Sequence, residues 1–260
     1  MRSRCAVLTS ANENREHHVG ANLALTVGKC RPPNYRTFDD RGPSPGLRAT
    51  LFLTTNIKSA RHRKVQNVSN PTALARGGFV GAVLTGGYAS RMGRDKACLL
   101  VAGVPMATQV ARAMLEAGAK EVFAVGGDAE ILRVLGLRLV PDQVPHEGPL
   151  AGIIAALRDA SEEVVVVTAC DMPWIRERHV AGIVDVIGKF DAVMSAADGQ
   201  LQPLHTAWKR SALKKLEALF LSGERSALRA IRSLDYSVVD FGAGPWSIDL
   251  DTPGDVASVS

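Results

Sequence analysis

The sequence predicts an α/β fold, a mostly parallel sheet with helices on both faces, and three observations lead there. The apolar runs FVGAVL (79–84) and EVVVVT (163–168) have strand length and lack polar alternation, as strands buried on both faces do. Amphipathic stretches of helical length lie between such runs, which is the alternation of a βαβ chain. Hydrophobic residues make up 46% of the 260 residues and aromatic ones only 5%, which suits helices on a buried sheet better than an aromatic-rich sandwich.

Residues 1–78 stand apart. Their short apolar pieces at 23–27 and 49–53 are separated by RPPNYR and RGPSPG and carry no sustained period, so an irregular, poorly ordered basic extension is expected. This segment holds 13 Lys and Arg against 4 Asp and Glu, a balance of +9, whereas 79–260 holds 18 against 22, a balance of −4. The net charge of +5 therefore belongs to the extension. The cations beyond residue 78 are scattered and not interleaved with aromatics, so no nucleic-acid partner is expected.

A single domain is expected over 79–260. After the first strand, 105–119 reads as a helix with Pro105 in its first turn and Gly118 near its end, and 121–125 reads as a strand. A short helix (129–136), a strand (137–140) and a helix entered through EGP (150–160) precede the apolar strand 163–168. The strand 191–196 turns at Asp198-Gly199 into a hairpin partner, 201–208. Helices at 211–221 and 225–232 lead to YSVVDF and WSIDLDTPGD.

Cys5, Cys30, Cys98 and Cys170 form no CxxC pair and no zinc-ligand spacing with the histidines, and reduced thiols are expected. No apolar run approaches the roughly 20 residues that span a bilayer, and the first 20 residues lack the apolar middle of a secretion signal. A cytoplasmic protein without a membrane partner is the resulting expectation.

Four segments carry the chemistry. The loop LTGGYASRMGRDK (84–96) leaves the first strand, where Gly86, Gly87 and Gly93 let backbone N–H groups approach phosphate oxygens, and Arg91 and Lys96 add positive charge. It is neither GxGxxG nor GxxxxGK[ST], which argues against a dinucleotide-binding domain and a P-loop NTPase. VPDQVPHEGPLAGI (140–153) places Asp142 after a strand and Gly148-Pro149 at a helix start. VVVVTACDMPWI (164–175) ends a central strand on Asp171, a position suited to Mg²⁺, which takes few protein oxygens and keeps water and substrate phosphate. WSIDLDTPGD (246–255) offers Asp249 and Asp251 as further oxygen ligands, although Asp251-Thr252-Pro253 also reads as an ordinary helix start.

These segments resemble the molybdenum cofactor guanylyltransferases. The first is similar to the family's LAGGxSxRMGxDK signature, with Thr85 where Ala is usual; the second resembles D-(x)n-GPLAG and the third CDxP. The fourth is similar to NxNTPED or NxDTPED, with Asp249 where the family usually has Asn and Gly254 where it has Glu. The resemblance covers 79–260 and implies a three-layer, Rossmann-like nucleotidyltransferase fold. It implies that Leu84, Thr85, Gly86 and Gly87 contact the nucleotide together with Asp142 and Asp171. It also implies that Arg91 and Lys96 meet the phosphates as catalytic cations beside Asp171.

SGERSALR (222–229) resembles a G-x-R element in which Arg225 meets the acceptor phosphate. Beyond the strand ending at Val125 the family often has Asn, whereas this chain has Gly126-Gly127. The implied reaction is transfer of GMP from Mg-GTP to molybdopterin with release of pyrophosphate, with Mg²⁺ as cofactor and transient contact with cofactor biosynthesis or acceptor proteins. Cytidylyl transfer, another phosphorylated acceptor, and a non-catalytic nucleotide-binding protein are the alternative expectations.

Overall fold

A computed structural model describes residues 78–86, 95–142, 144, 147–250 and 254–255. Its centre is a seven-stranded sheet. In chain order the strands are β1 (Phe79–Leu84), β4 (Val122–Val125), β5 (Arg138–Val140), β6 (Val164–Ala169), β7 (Ala192–Ala197), β8 (Gln200–Lys209) and β9 (Tyr236–Asp240). A two-residue ladder, β2 (Leu100–Val101) with β3 (Val104–Pro105), stands outside this sheet. Across the sheet the order is β5-β4-β1-β6-β8-β7-β9, and only β8 runs antiparallel to its neighbours.

The apolar runs explain the layers. Along β1, Phe79 and Val83 enter one core while Val80, Ala82 and Leu84 enter the other; along β6, Val166 joins the first and Val165 and Val167 the second. This is the two-residue alternation of a strand whose faces are both covered. On the first face lie α1 (Met106–Glu116) and α4 (Glu177–Val186), which pack on each other. The second face is covered by α3 (Pro149–Asp159), α5 (Leu213–Leu221) and α6 (Ala227–Arg232). The short α2 (Ala129–Val134) links β4 to β5.

Two expectations need adjustment. The helix expected at 105–119 spans only Met106–Glu116, because Pro105 stays extended as its N-cap and Gly118 at φ 95° closes the chain after it. No helix was expected over α4. Its middle residue, Gly182, lowers the local helical signal, and the structure gives the reason for it: a Cβ there would sit 2.8 Å from the Phe241 ring. Among the described residues no helix is long and apolar enough to cross a membrane.

Candidate active site

Connections from β1 run one way across the sheet, through β4 to β5, and the chain then returns through α3 to place β6 on the other flank of β1. The topological switch point therefore lies between the carboxyl ends of β1 and β6, where open α/β sheets bind ligands. A cleft of about 710 Å³ opens there. Its lining draws on the end of β1 and the residues after it (Leu84, Thr85, Gly86), the turn that follows (Asp95, Lys96), the end of β4 and the residues after it (Val125, Gly126, Gly127), the loop into α3 and its first residue (Asp142, Gly148, Pro149) and the residues just beyond β6 (Cys170, Asp171).

Asp95 organises one wall. Its Oδ1 caps the 3-10 turn Lys96–Cys98 by accepting from Ala97 N at 2.9 Å, and its Oδ2 accepts from Asp128 N at 3.3 Å. One carboxylate thus ties the β1 loop to the start of α2, which Asp128 caps in turn through Glu130 N and Ile131 N. Lys96 projects from this turn, and its Nζ lies 3.3 Å from Asp171 Oδ2, both side chains about one-fifth exposed. Residues 75 positions apart are thereby brought to one spot in the cleft.

Asp142 lines the cleft, with Oδ1 accepting from Val144 N at 3.1 Å. Leu250 N donates to Asp171 O at 3.0 Å, so the segment carrying Asp249 docks on the end of β6, with Asp249 itself exposed and outside the cleft lining. Arg225 also lies outside the lining. Its guanidinium engages Glu147, donates to Phe220 O at 2.8 Å and Glu224 O at 3.0 Å, and stacks 3.9 Å from the Phe220 ring centroid. In that position it braces the entry to α3, where a Cβ on Gly148 would come within 3.0 Å of Arg225 O. Gly87, Arg91 and Asp251 lie outside the described residues.

The end of β4 brings Gly126 and Gly127, which stand where the resembling family often has Asn, into the cleft lining. Gly126 has φ 70° and Gly127 φ 91°, in the left-handed region that favours glycine. A Cβ on Gly126 would lie 2.8 Å from Gly86 Cα, backbone against backbone. Gly126→Ala is therefore expected to destabilise the fold by roughly 1–3 kcal/mol, read as a lower denaturant midpoint at unchanged slope. An unchanged midpoint would show that this close approach is unimportant.

Among the described residues the cleft lining holds no activated thiol nucleophile. Burial pushes the Cys170 thiol far above its ordinary range, and the neighbouring charges of Asp171 and Asp95 push it further, against a smaller opposing effect of Lys96. What the described lining offers instead is a cation, the three carboxylates Asp95, Asp142 and Asp171, glycine backbone and the amino-terminal end of α3. That inventory can align a phosphorylated ligand and offset part of its charge without itself forming a covalent bond to it.

Comparison with known proteins agrees with this fold. The family model for a MobA-like NTP transferase domain matches residues 81–238. A probable molybdenum cofactor guanylyltransferase of Chloroflexus aggregans is 33% identical over 193 residues, covering 69% of this chain and 92% of that one. Among solved structures, molybdopterin-guanine dinucleotide biosynthesis protein A of Archaeoglobus fulgidus aligns with a TM-score of 0.54 at 25% identity, over 69% of this chain and 95% of the other. The 2-C-methyl-D-erythritol 4-phosphate cytidylyltransferase of Thermus thermophilus, 16% identical with a TM-score of 0.53 over 69% of this chain and 96% of its own, shares the fold.

Proposed function

Because the chain belongs to the MobA-like NTP transferase family and is a nucleotidyltransferase, we propose that it transfers GMP from GTP to the terminal phosphate of molybdopterin and releases pyrophosphate. The observation that carries this reading is the Lys96–Asp171 pair, 3.3 Å apart in the cleft at the β1/β6 switch point. In the proposed reaction an acceptor phosphate oxygen attacks the α-phosphorus, the new P–O bond forms as the α–β bridge breaks, and pyrophosphate leaves with the electron pair. The acceptor is already anionic, so the protein needs no Ser, Cys or His nucleophile. Its work is alignment, worth up to roughly 7–11 kcal/mol, and charge neutralisation.

In this reading Lys96, Arg91 and the glycine amides of the β1 loop take the phosphates, while Leu84, Thr85, Gly86 and Gly87 hold the nucleoside with Asp142. The donor set suits Mg²⁺: Asp171 lines the cleft at the end of β6, and Leu250 N on Asp171 O keeps the neighbouring Asp249 close in the chain to that point. Asp171 would hold the ion, with Asp249 and Asp251 as further oxygen donors, and the ion when bound would neutralise charge developing on the phosphates. Arg225 fits the acceptor side only if it gives up its partner Glu147.

The test is to incubate the protein with Mg²⁺, molybdopterin and each of GTP, CTP, ATP and UTP, and to follow pyrophosphate. Release with GTP is expected to exceed that with CTP by at least about tenfold, or 1.4 kcal/mol of discrimination. Preference for CTP would convert the reading to cytidylyl transfer. Binding of GTP without pyrophosphate from any nucleotide would make the chain a nucleotide-binding protein that has lost the chemistry.

A further inference from the structure

Two departures from the resembling signature, Thr85 in the first loop and Gly126-Gly127 beyond β4, meet in space. Thr85 is buried, and its hydroxyl donates to Gly126 O at 2.6 Å. Its second contact, to Val125 O at 3.3 Å, is longer, and that carbonyl already accepts from Thr85 N and Gly86 N, each at 3.0 Å. A hydroxyl has one proton, so the short bond to Gly126 O takes it.

That bond fixes a peptide plane. In a trans peptide the C=O and the following N–H point in opposite directions, so turning Gly126 O toward Thr85 turns the Gly127 N–H away from it. Gly126 is buried and its own N–H is taken by Val140 O at 3.0 Å. Gly127, by contrast, is exposed, lines the cleft, and donates to no acceptor among the described residues. A Cβ on Gly127 would lie 3.0 Å from Thr85 Oγ1, so the hydroxyl and the bare glycine fit as a pair.

We propose that Thr85 is a positioning residue for the nucleotide: its hydroxyl locks the Gly126–Gly127 peptide so that the Gly127 N–H faces the cleft as a donor to an oxygen of the bound nucleoside. The proposal rests on nucleotide binding in this cleft. A backbone donor held in place by a buried hydroxyl costs little reorganisation on binding, which is where its affinity originates.

The test compares Thr85→Ala with Thr85→Ser by titration calorimetry against GTP, alongside thermal midpoints and KM for molybdopterin in the wild type and each variant. Thr85→Ala is expected to weaken GTP binding about tenfold, the loss of one net hydrogen bond. Thr85→Ser keeps the hydroxyl and is expected to restore binding to within about twofold of the wild type, although it loses the buried methyl and some thermal stability. KM for molybdopterin is expected to stay within about twofold throughout.

Equal GTP affinity in the wild type and Thr85→Ala, or equal losses in Ala and Ser, would overturn the proposal, the latter because it would show a packing effect. If the wild type binds GTP but releases no pyrophosphate with molybdopterin, the reading of the reaction fails while the Ala-to-Ser comparison still judges Thr85. A wild type that binds no GTP overturns both.

Discussion

Lys96→Ala and Asp171→Asn are each expected to lower pyrophosphate release by about 10²–10³-fold, with far-UV circular dichroism unchanged from the wild type. Lys96 is the one described cation in the cleft lining, and Asp171 is its ion-pair partner at 3.3 Å. In the proposed site Lys96→Ala takes away the cation set for the phosphates, and Asp171→Asn takes away the carboxylate that pairs with it and would hold Mg²⁺; in a partly desolvated cleft either loss is far larger than in water. The fold survives because a partly exposed ion pair contributes only up to about 1 kcal/mol. Combining both substitutions is expected to cost little more than the worse single one, since the two groups act as a unit. Near-normal turnover in either single variant would remove this pair from the active site.

Lowering the pH from 7.5 to 5 is expected to cost the fold about 4 kcal/mol, because two buried histidines are held neutral. His205 on β8 is fully buried, its Nδ1 lies 2.9 Å from Thr168 Oγ1, and burial pushes its pKa down to about 4, against a smaller raising effect of a backbone contact to His179. His179 on α4 packs 4.8 Å from the Trp246 ring and 5.2 Å from the Phe241 ring. Burial first, then His205, Arg178 and Arg176, push its pKa down to about 3.

Both native pKa values lie below the unfolded value of about 6.5, so below that pH the unfolded chain binds protons that the native state refuses. Stability is therefore complete above pH 6.5 and is lost as the pH falls toward 4, by about 1.4 kcal/mol per unit for each histidine. Guanidinium midpoints at pH 7.5, 6 and 5 check this, and His205→Gln is expected to remove about half of the slope. Equal midpoints at pH 7.5 and 5 would contradict it.

The local pattern determined much of the architecture. Uninterrupted apolar runs marked β1 and β6, Asp198-Gly199 marked the hairpin of β7 and β8, and Gly148-Pro149 marked the start of α3, because burial on two faces, turn chemistry and helix starts leave short-range signatures. The cleft was legible in the same way: Leu84 to Gly86, Lys96, Asp142 and Asp171 each follow a recognisable strand end, and the structure gathers all of them.

Other features were decided only by tertiary structure. The insertion of antiparallel β8 between β6 and β7 depends on which backbone donors meet across the sheet, which no local period encodes. Helix α4 owes its existence to packing on α1 and under Phe241, which overrides the weak propensity around Gly182. Asp95 bridges to Asp128 over 33 positions, Leu250 docks on Asp171, and Thr85 clasps Gly126 over 41 positions.

Each of these is a directional contact between groups far apart in the chain, whose energy depends on distances and angles that sequence spacing does not carry. The sequence alone thus determined the layers and the residues offered to the cleft. Only the folded backbone decided their partners, because a hydrogen bond or ion pair exists only once the sheet has set its two ends about 3 Å apart.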